Sequence, residues 1–221
     1  MNSDLLLRMY KAMLVALGPS GWWPGETPFE VVVGALLTQN TSWVGVSRAI
    51  VAIRKRGLLT PHGLAALPEP ELAELIRPTG YFRLKASRLG HVLRYLKASC
   101  DFDLNRLADY GRTTHGLAAL RLELLSVNGI GPETADSILC YALDLPSFVV
   151  DAYTRRILHR HGLALENTNY KELQDDCMAA LPKDVQLYNE CHALIVRTAK
   201  TWCHKRTPRC DSCPLQPFLK S

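Results

Sequence analysis

Long hydrophobic runs are absent from this chain of 221 residues. No apolar stretch approaches the ~18 residues that a membrane-spanning helix requires, so we expect no transmembrane segment. The leucine-rich beginning is interrupted by Arg8 and Lys11, which indicates an amphipathic helix and not a signal peptide. These two absences together predict a cytoplasmic protein. The hydrophobic share of 48% is ordinary for a globular chain and sufficient for a buried core.

Alternation of apolar and polar residues, the pattern of a half-buried strand, is also missing over any useful length. Low-complexity linkers and internal repeats are missing as well. The chain instead has apolar residues at helical spacing between glycine and proline; Thr27-Pro28, for example, combines a helix N-cap with proline at the first helical position. Besides an N-terminal helix, we predict helices over residues 28–39, 44–55, 70–76, 83–98, 117–126, 132–143, 152–161, 169–180 and 184–200. The sequence therefore predicts an all-α fold.

Acidic residues are absent between Arg77 and Lys97, a segment that contains six basic ones. Smaller basic groups lie within residues 155–160 and 200–209, and the formal net charge is +5. Basic stripes on helices attract nucleic-acid phosphates whatever the base sequence. A solvated helix face is the alternative interpretation of any one of these groups.

A glycine turn, Gly129-Ile130-Gly131, separates two segments whose apolar residues have helical spacing. Pro132 follows at the first position of the second helix, which carries Thr134. Free backbone amides at the start of such a helix favour phosphate binding. Asp151 follows a short extended run and is either the N-cap of the next helix or a buried carboxylate at the mouth of a site. The plain alternative is a helical hairpin followed by a capped helix.

These motifs resemble the helix-hairpin-helix (HhH-GPD) DNA glycosylases of the endonuclease III superfamily. The resemblance is carried by the hairpin turn with Thr134-Ala135 and by Val149-Val150-Asp151, and it extends from about Trp22 to Cys213. It implies that the amides of the hairpin hold DNA phosphate and that Asp151 stabilises the sugar cation or activates water. It also implies a monomer in the cytoplasm, associated with the nucleoid, whose partner is double-stranded DNA containing a damaged base.

The resemblance further implies two lobes with the active cleft between them. One lobe is expected to be a six-helix barrel at residues 28–146, with the helix-hairpin-helix at about 117–143. The other is expected to combine residues 1–27 with residues 147–221 in a second helical domain.

Two further residues have a role only through this resemblance. Gln39 matches the glutamine that enters the space left by a flipped base, and Tyr81 matches a wedge residue. An exposed aromatic after Gly80 and before a basic helix suits intercalation between bases. Taken alone, a polar helix end and a loop aromatic are common features.

Glu133 stands where bifunctional members of the family have a lysine that forms a Schiff base with the sugar. A carboxylate cannot form an imine, so we expect base removal by water with little strand cleavage. Lys85 or another nearby amine could give slow, opportunistic strand cleavage. The alternative role of Glu133 is a favourable interaction with the start of its helix.

Three tryptophans suggest which base is removed. Trp22-Trp23-Pro24 and Trp43 resemble the aromatic pocket of the branch typified by 3-methyladenine DNA glycosylase III. Alkylated purines carry positive charge, which favours stacking on electron-rich rings, and Glu133 at the pocket edge would add to that preference. The alternative is that these tryptophans only pack in the core.

Seven cysteines without a secretion signal argue against a disulfide framework. Cys203, Cys210 and Cys213 have the spacing of the family's loop around a [4Fe–4S] cluster, which needs a fourth cysteine. Leu219 occupies that fourth position. Three possibilities follow: an iron–sulfur cluster completed by another ligand, a zinc site, or a loop without metal. In each of them the loop, residues 203–213, has a structural role.

The sequence thus predicts a monofunctional DNA glycosylase for alkylated purines. The first rival is an endonuclease III-like glycosylase for oxidised pyrimidines or mismatched bases with weak lyase activity. The second is a DNA-lesion binder without catalysis.

Overall fold

The computed structural model of the protein describes residues 3–219. Within that range it contains twelve α-helices and no strand, which confirms the predicted all-α fold. The helices are α1 (Ser3–Leu17), α2 (Pro28–Leu37), α3 (Trp43–Lys55), α4 (Pro61–Ala65), α5 (Glu69–Leu75), α6 (Phe82–Cys100), α7 (Leu104–Gly111), α8 (Gly116–Ser126), α9 (Pro132–Ser137), α10 (Ala152–Arg160), α11 (Tyr170–Ala180) and α12 (Val185–Thr201). None of these helices is long and apolar enough to cross a membrane.

The chain forms two compact units. The central unit is Pro24–Leu145. The terminal unit combines residues up to Trp23 with the chain from Pro146 onward. Residues 1, 2, 220 and 221, which the sequence analysis assigned to the second domain, lie outside the described residues.

Helix α2 is the core of the central unit. It begins as the sequence predicts, because the Thr27 side chain accepts a hydrogen bond from the Glu30 amide and Pro28 occupies the first turn. Every residue from Phe29 to Leu37 is buried. The one buried charge in that run, Glu30, accepts two 2.7 Å hydrogen bonds from Arg54 of α3. A helix buried on all sides in this way requires neighbours all around it.

Helix α12 organises the terminal unit. The Asp184 side chain accepts a hydrogen bond from the Leu187 amide and caps the helix. Farther along, Arg197 donates to the carbonyl oxygens of Leu17 and Gly18 at 2.7 and 2.9 Å. The Ser20 amide donates to Glu190 at 2.9 Å. These contacts tie the segment that leads into Trp22 to the surface of α12.

Three elements differ from the sequence prediction. The short helices α4 and α7 were not predicted; each is capped by a side chain, Thr60 and Asp103, but is too short to show a clear helical period. The predicted helix 132–143 is α-helical only to Ser137 and continues as a π-helical turn, Ile138–Ala142. In a π-helical turn the backbone amide bonds to the carbonyl five residues earlier, as the Leu143 amide does to the Ile138 carbonyl oxygen at 3.1 Å. The composition of the segment does not indicate this change from the α-helical pattern.

Candidate functional site

The hairpin joins α8 to α9 within the central unit. Gly129 has a φ of +96°, and a Cβ placed on it would lie 2.3 Å from Cγ of Arg88. Glycine is therefore required there by backbone conformation and by packing. Ile130 is buried, whereas Gly131 is exposed and a Cβ on it would meet no described atom within 4 Å. The turn thus leaves open space over the first amides of α9.

An ion pair holds the two hairpin helices together. Arg121 of α8 donates from Nε to Oδ1 of Asp136 at 2.8 Å and from Nη2 to Oδ2 at 2.9 Å. Asp136 of α9 is fully buried and the Arg121 side chain is 17% exposed. A two-pronged contact of this kind fixes the angle between the helices as well as their distance.

Gln39 lies in the turn between α2 and α3 and reaches the hairpin. Its Nε2 donates to the Gly129 carbonyl oxygen and to Oγ1 of Thr134, both at 2.9 Å. Its Oε1 accepts from Nη1 of Arg88 at 2.5 Å. The structure therefore brings Gln39 into contact with Gly129 and Thr134 of the hairpin, which the sequence analysis selected separately from it.

Tyr81 is 72% exposed and sits immediately before α6 with a φ of +47°. A left-handed conformation is uncommon for a tyrosine, so the surrounding structure must hold this loop. Lys85 supplies part of that support: its Nζ donates to the carbonyl oxygens of Thr79 at 2.8 Å and Leu37 at 2.9 Å. The loop that bears Tyr81 is thereby joined to the end of α2.

Lys85 is itself only 1% exposed. Burial, together with the smaller effect of the nearby Arg88, lowers the pKa of its amine to about 8. An amine enclosed in this way and donating to two carbonyls is not presented to a DNA sugar. The enclosed position of Lys85 argues against the opportunistic strand cleavage that the sequence suggested for it, which stays a prediction.

Asp151 is the N-cap of α10, which is one of the two roles that the sequence analysis predicted for it. Its Oδ1 accepts from the Thr154 amide at 2.7 Å and from Thr154 Oγ1 at 3.0 Å. Its Oδ2 lies 3.6 Å from Nε2 of the buried His192 on α12. Burial alone would raise the pKa of Asp151, but His192 and the Thr154 hydrogen bonds outweigh it and hold that pKa below its ordinary value. The group is a carboxylate at neutral pH.

Trp22 and Trp23 lie in the same unit as Asp151. Both are half-buried, and their rings meet edge to face with centroids 5.1 Å apart. The Trp22 ring is also 6.5 Å from the His192 ring. One tryptophan of the pair is therefore a neighbour of the histidine that contacts Asp151.

The other predicted pocket residues belong to the central unit. Pro24 is exposed at its beginning, Trp43 is the half-buried first residue of α3, and Glu133 is exposed in the first turn of α9.

Cys203, Cys210 and Cys213 line one cavity in the terminal unit, and so does Leu219. Arg160 donates to Cys203 Sγ at 3.1 Å, and Arg156 donates to the Cys203 carbonyl oxygen at 2.7 Å. Burial raises the pKa of the Cys213 thiol, as do the neighbouring Cys203 and Cys210. The three sulfurs thus share a partly buried, apolar space that has arginines at one side.

No three His, Cys, Asp or Glu side chains within residues 3–219 converge closely enough to hold a single metal ion. All seven cysteines of the chain are free thiols. Cys100, Cys140, Cys177 and Cys191 are buried in the core.

Two residues of this site escaped the sequence analysis. His192 was not selected, because a single histidine on a mostly apolar helix gives no signal of function. Arg88 was counted only as one member of a basic segment. Each becomes noticeable through a contact with a residue that is distant in the sequence.

Comparison with known proteins identifies the class. Residues 33–183 match the family described as HhH-GPD superfamily base excision DNA repair protein. Because the match covers more than half of the chain, the protein belongs to this family. It is a base excision repair DNA glycosylase of the endonuclease III superfamily, as the resemblance predicted.

Individual relatives support the assignment. The chain is 44% identical to "Putative DNA repair glycosylase MJ1434" of Methanocaldococcus jannaschii, over 99% of this chain and 97% of the relative. It is 25% identical to endonuclease III of Bacillus subtilis, over 86% of this chain and 80% of the relative.

Two solved structures have the same fold. One is 3-methyladenine DNA glycosylase (MagIII) of H. pylori bound to 1,N6-ethenoadenine, with a TM-score of 0.75 and 28% identity over 90% of this chain and 98% of that chain. The other is a trapped endonuclease III–DNA covalent intermediate, with a TM-score of 0.82 and 21% identity over 100% of this chain and 96% of that chain.

Proposed function

We propose that this glycosylase hydrolyses the N-glycosidic bond of alkylated purines, such as 3-methyladenine, in duplex DNA and leaves an abasic site. The observation that carries the proposal is the edge-to-face Trp22–Trp23 pair beside His192, which in turn lies 3.6 Å from Asp151. This cluster combines aromatic rings on which a base can stack with a carboxylate that can stabilise positive charge on the sugar. The similarity to a 3-methyladenine DNA glycosylase at 28% identity adds support.

Asp151 is the proposed catalytic residue. As the bond between C1′ and the base nitrogen breaks, its electron pair leaves with the base and positive charge develops on the sugar. A carboxylate that is already ionised stabilises this charge without reorganisation. Water then forms the new bond to C1′ and releases its proton to Asp151 or to solvent. A cationic purine leaves as a neutral base, so no strong general acid is needed.

The aromatic rings supply selectivity in this proposal. A cationic purine gains about 1–2 kcal/mol over an uncharged one when it stacks on an electron-rich indole face. Trp22 and Trp23 are half-buried, so part of each residue remains accessible. In the central unit, Pro24, Trp43 and Glu133 are our further candidates for contacts with the base, and the negative charge of Glu133 favours the same cationic substrates.

Glu133 also supports a monofunctional reaction. A carboxylate at this position forms no imine with the sugar, and the buried Lys85 does not replace the missing amine. We therefore expect no covalent enzyme–DNA product after treatment with borohydride during turnover.

The proposed DNA contacts lie on the central unit. The open space beside Gly131 suits a phosphate bound by backbone amides at the start of α9. The exposed Tyr81 suits a wedge between bases, and Gln39 beside Thr134 suits the gap left by the flipped base.

We also propose that Cys203, Cys210 and Cys213 hold an iron–sulfur cluster of the [4Fe–4S] type. The three thiols fit such a group, because they line one cavity, in which Arg160 donates a hydrogen bond to the Cys203 sulfur. When bound, the cluster would join the ends of a loop that also carries Lys205, Arg206 and Arg209.

The function is tested with two duplexes, one containing an alkylated purine and the other an oxidised pyrimidine. Half of each reaction is treated with hot alkali, which cuts DNA at abasic sites. We expect strand breaks from the alkylated duplex only after alkali, and none with Asp151→Asn, which should still bind DNA.

Other outcomes separate the rivals. Breaks from the oxidised duplex without alkali would indicate an endonuclease III-like enzyme and contradict the proposal. Excision that is unchanged in Asp151→Asn would remove the proposed role of Asp151. Binding of both damaged duplexes without any excision would indicate a lesion binder.

A further inference from the structure

We propose that Arg88 is a positioning residue that presets Gln39 against the hairpin before DNA binds. The inference rests on the proposed role of Gln39 in filling the space left by a flipped base. It assigns to Arg88 an action through Gln39, and not a direct grip on a DNA phosphate.

The hydrogen bonds of Gln39 admit only one orientation of its amide. A guanidinium can only donate and a backbone carbonyl oxygen can only accept. Oε1 must therefore face Arg88, at 2.5 Å, and Nε2 must face the Gly129 oxygen, at 2.9 Å. Oγ1 of Thr134 takes the second hydrogen of Nε2. Both amide hydrogens are thus committed, while Oε1 keeps one free lone pair.

Arg88 reaches Gln39 because Gly129 leaves room for it. A Cβ built on Gly129 would lie only 2.8, 2.3 and 2.8 Å from the Cβ, Cγ and Cδ atoms of Arg88. The aliphatic stem of Arg88 therefore lies across the hairpin turn, and its head group ends at Gln39. Three separate segments, the turn after α2, helix α6 and the hairpin, meet in this one cluster.

The consequence is preorganisation. A glutamine side chain on a loop loses rotational freedom when it inserts into DNA, and ordering it beforehand removes that cost from the binding step. The contact from Arg88 is the charge-assisted one among the three and is therefore expected to be the strongest. Without it, Gln39 keeps two neutral hydrogen bonds and its position relative to the hairpin becomes less defined.

The experiment compares the affinity for two duplexes, one carrying a tetrahydrofuran analogue of an abasic site and the other undamaged. The measured quantity is the ratio of the two dissociation constants, for the wild type, Arg88→Met, Gln39→Ala and the double variant. Methionine keeps an aliphatic stem on Gly129 but removes the donor. We expect each single variant to lower the preference for the abasic duplex about ten-fold, and the double variant to lower it no further.

Arg94→Met is the matched control, since it removes the same charge from the same helix. Any effect of this substitution should weaken the binding of both duplexes alike. Thermal unfolding of each variant checks the fold.

Arg88→Lys keeps a hydrogen-bond donor in a less suitable shape. This variant should therefore give a preference for the abasic duplex between those of the wild type and Arg88→Met.

Two results would overturn the inference. One is a double variant whose loss is the product of the single losses, which would show that Arg88 and Gln39 act independently. The other is an Arg88→Met variant that weakens both duplexes equally and reduces the salt dependence of binding by about one phosphate contact. A wild type without preference for the abasic duplex would instead contradict the proposed role of Gln39 itself.

Discussion

At the scale of single residues, the contact between Asp151 and His192 decides how the carboxylate behaves. Asp151 is buried enough that its charge would be unfavourable alone, and it is kept ionised by His192 and by Thr154. A depressed carboxyl pKa means that the charged form persists as the pH falls. The stability that this charge contributes is present at neutral pH and is lost only when the pH falls through the lowered pKa.

We predict that His192→Gln moves the acid limb of the excision rate to higher pH. The substitution leaves the burial of Asp151 in place but removes the imidazole that lowers its pKa. The pKa of Asp151 therefore rises, and its protonated, inactive fraction grows as the pH falls. Near pH 8 the variant should remain close to the wild type. The measurement is the single-turnover excision rate between pH 4.5 and 8.

Thr154→Ser retains the hydroxyl and the amide that bind Asp151 and serves as the control, with the profile of the wild type. A His192→Gln variant whose rate is lowered by the same factor at every pH would show that His192 only shapes the site and does not tune the charge of Asp151.

At the scale of helices, the hairpin depends on one buried ion pair. Arg121 and Asp136 connect α8 to α9 beneath the turn that is proposed to bind phosphate. Removing one member of such a pair is costly, because the mostly buried Arg121 guanidinium loses its two-pronged bond to a counterion.

We predict that Asp136→Ala lowers the free energy of unfolding by about 3–5 kcal/mol. The matched control is Asp109→Ala, which removes a carboxylate from the solvent-exposed pair with Arg112 at 2.9 Å. That change should cost about 0–1 kcal/mol. Urea unfolding measures both values, and equal losses in the two variants would contradict the view that burial makes the hairpin pair important.

How far the sequence predicted these elements depends on how local their causes are. Helix α2 was predicted because Thr27, Pro28 and the apolar run act within a few residues of one another. Asp151 was predicted as a possible N-cap for the same reason. The network of Gln39 was not predicted, because its partners Arg88 and Gly129 are 49 and 90 residues away in the chain.

At the scale of the whole molecule, residues from α10, from the end of α12 and from the C-terminal segment together line the cavity that contains the three cysteines. Leu219, at the position of the family's fourth cysteine, lines the same cavity as the three cysteines. Cys203, Cys210 and Cys213 would hold a cluster there, and the apolar Leu219 side chain would supply no ligand to its fourth iron. Such an iron is expected to be lost more easily than one with a thiolate ligand.

We predict that Leu219→Cys increases the resistance of bound iron to oxygen and chelators. Leu165→Cys is the control. Leu165 is exposed, so this substitution adds a thiol elsewhere in the same unit. Iron per chain and visible absorption are measured after anaerobic purification and again after incubation with a chelator. Equal loss of iron from the wild type and Leu219→Cys would show that position 219 does not face the cluster, and a chain purified without iron would contradict the cluster itself.

The sequence by itself determined the all-α class, the main helices, the hairpin turn, the family and the absence of a lysine at position 133. All of these depend on composition or on residues near one another in the chain. Only the tertiary structure decided that Lys85 is enclosed, that His192 lies against Asp151, and that Arg88 crosses Gly129 to reach Gln39. The physical reason is that burial and pairing depend on which distant segments pack together, and no local pattern in the chain encodes the distance between them.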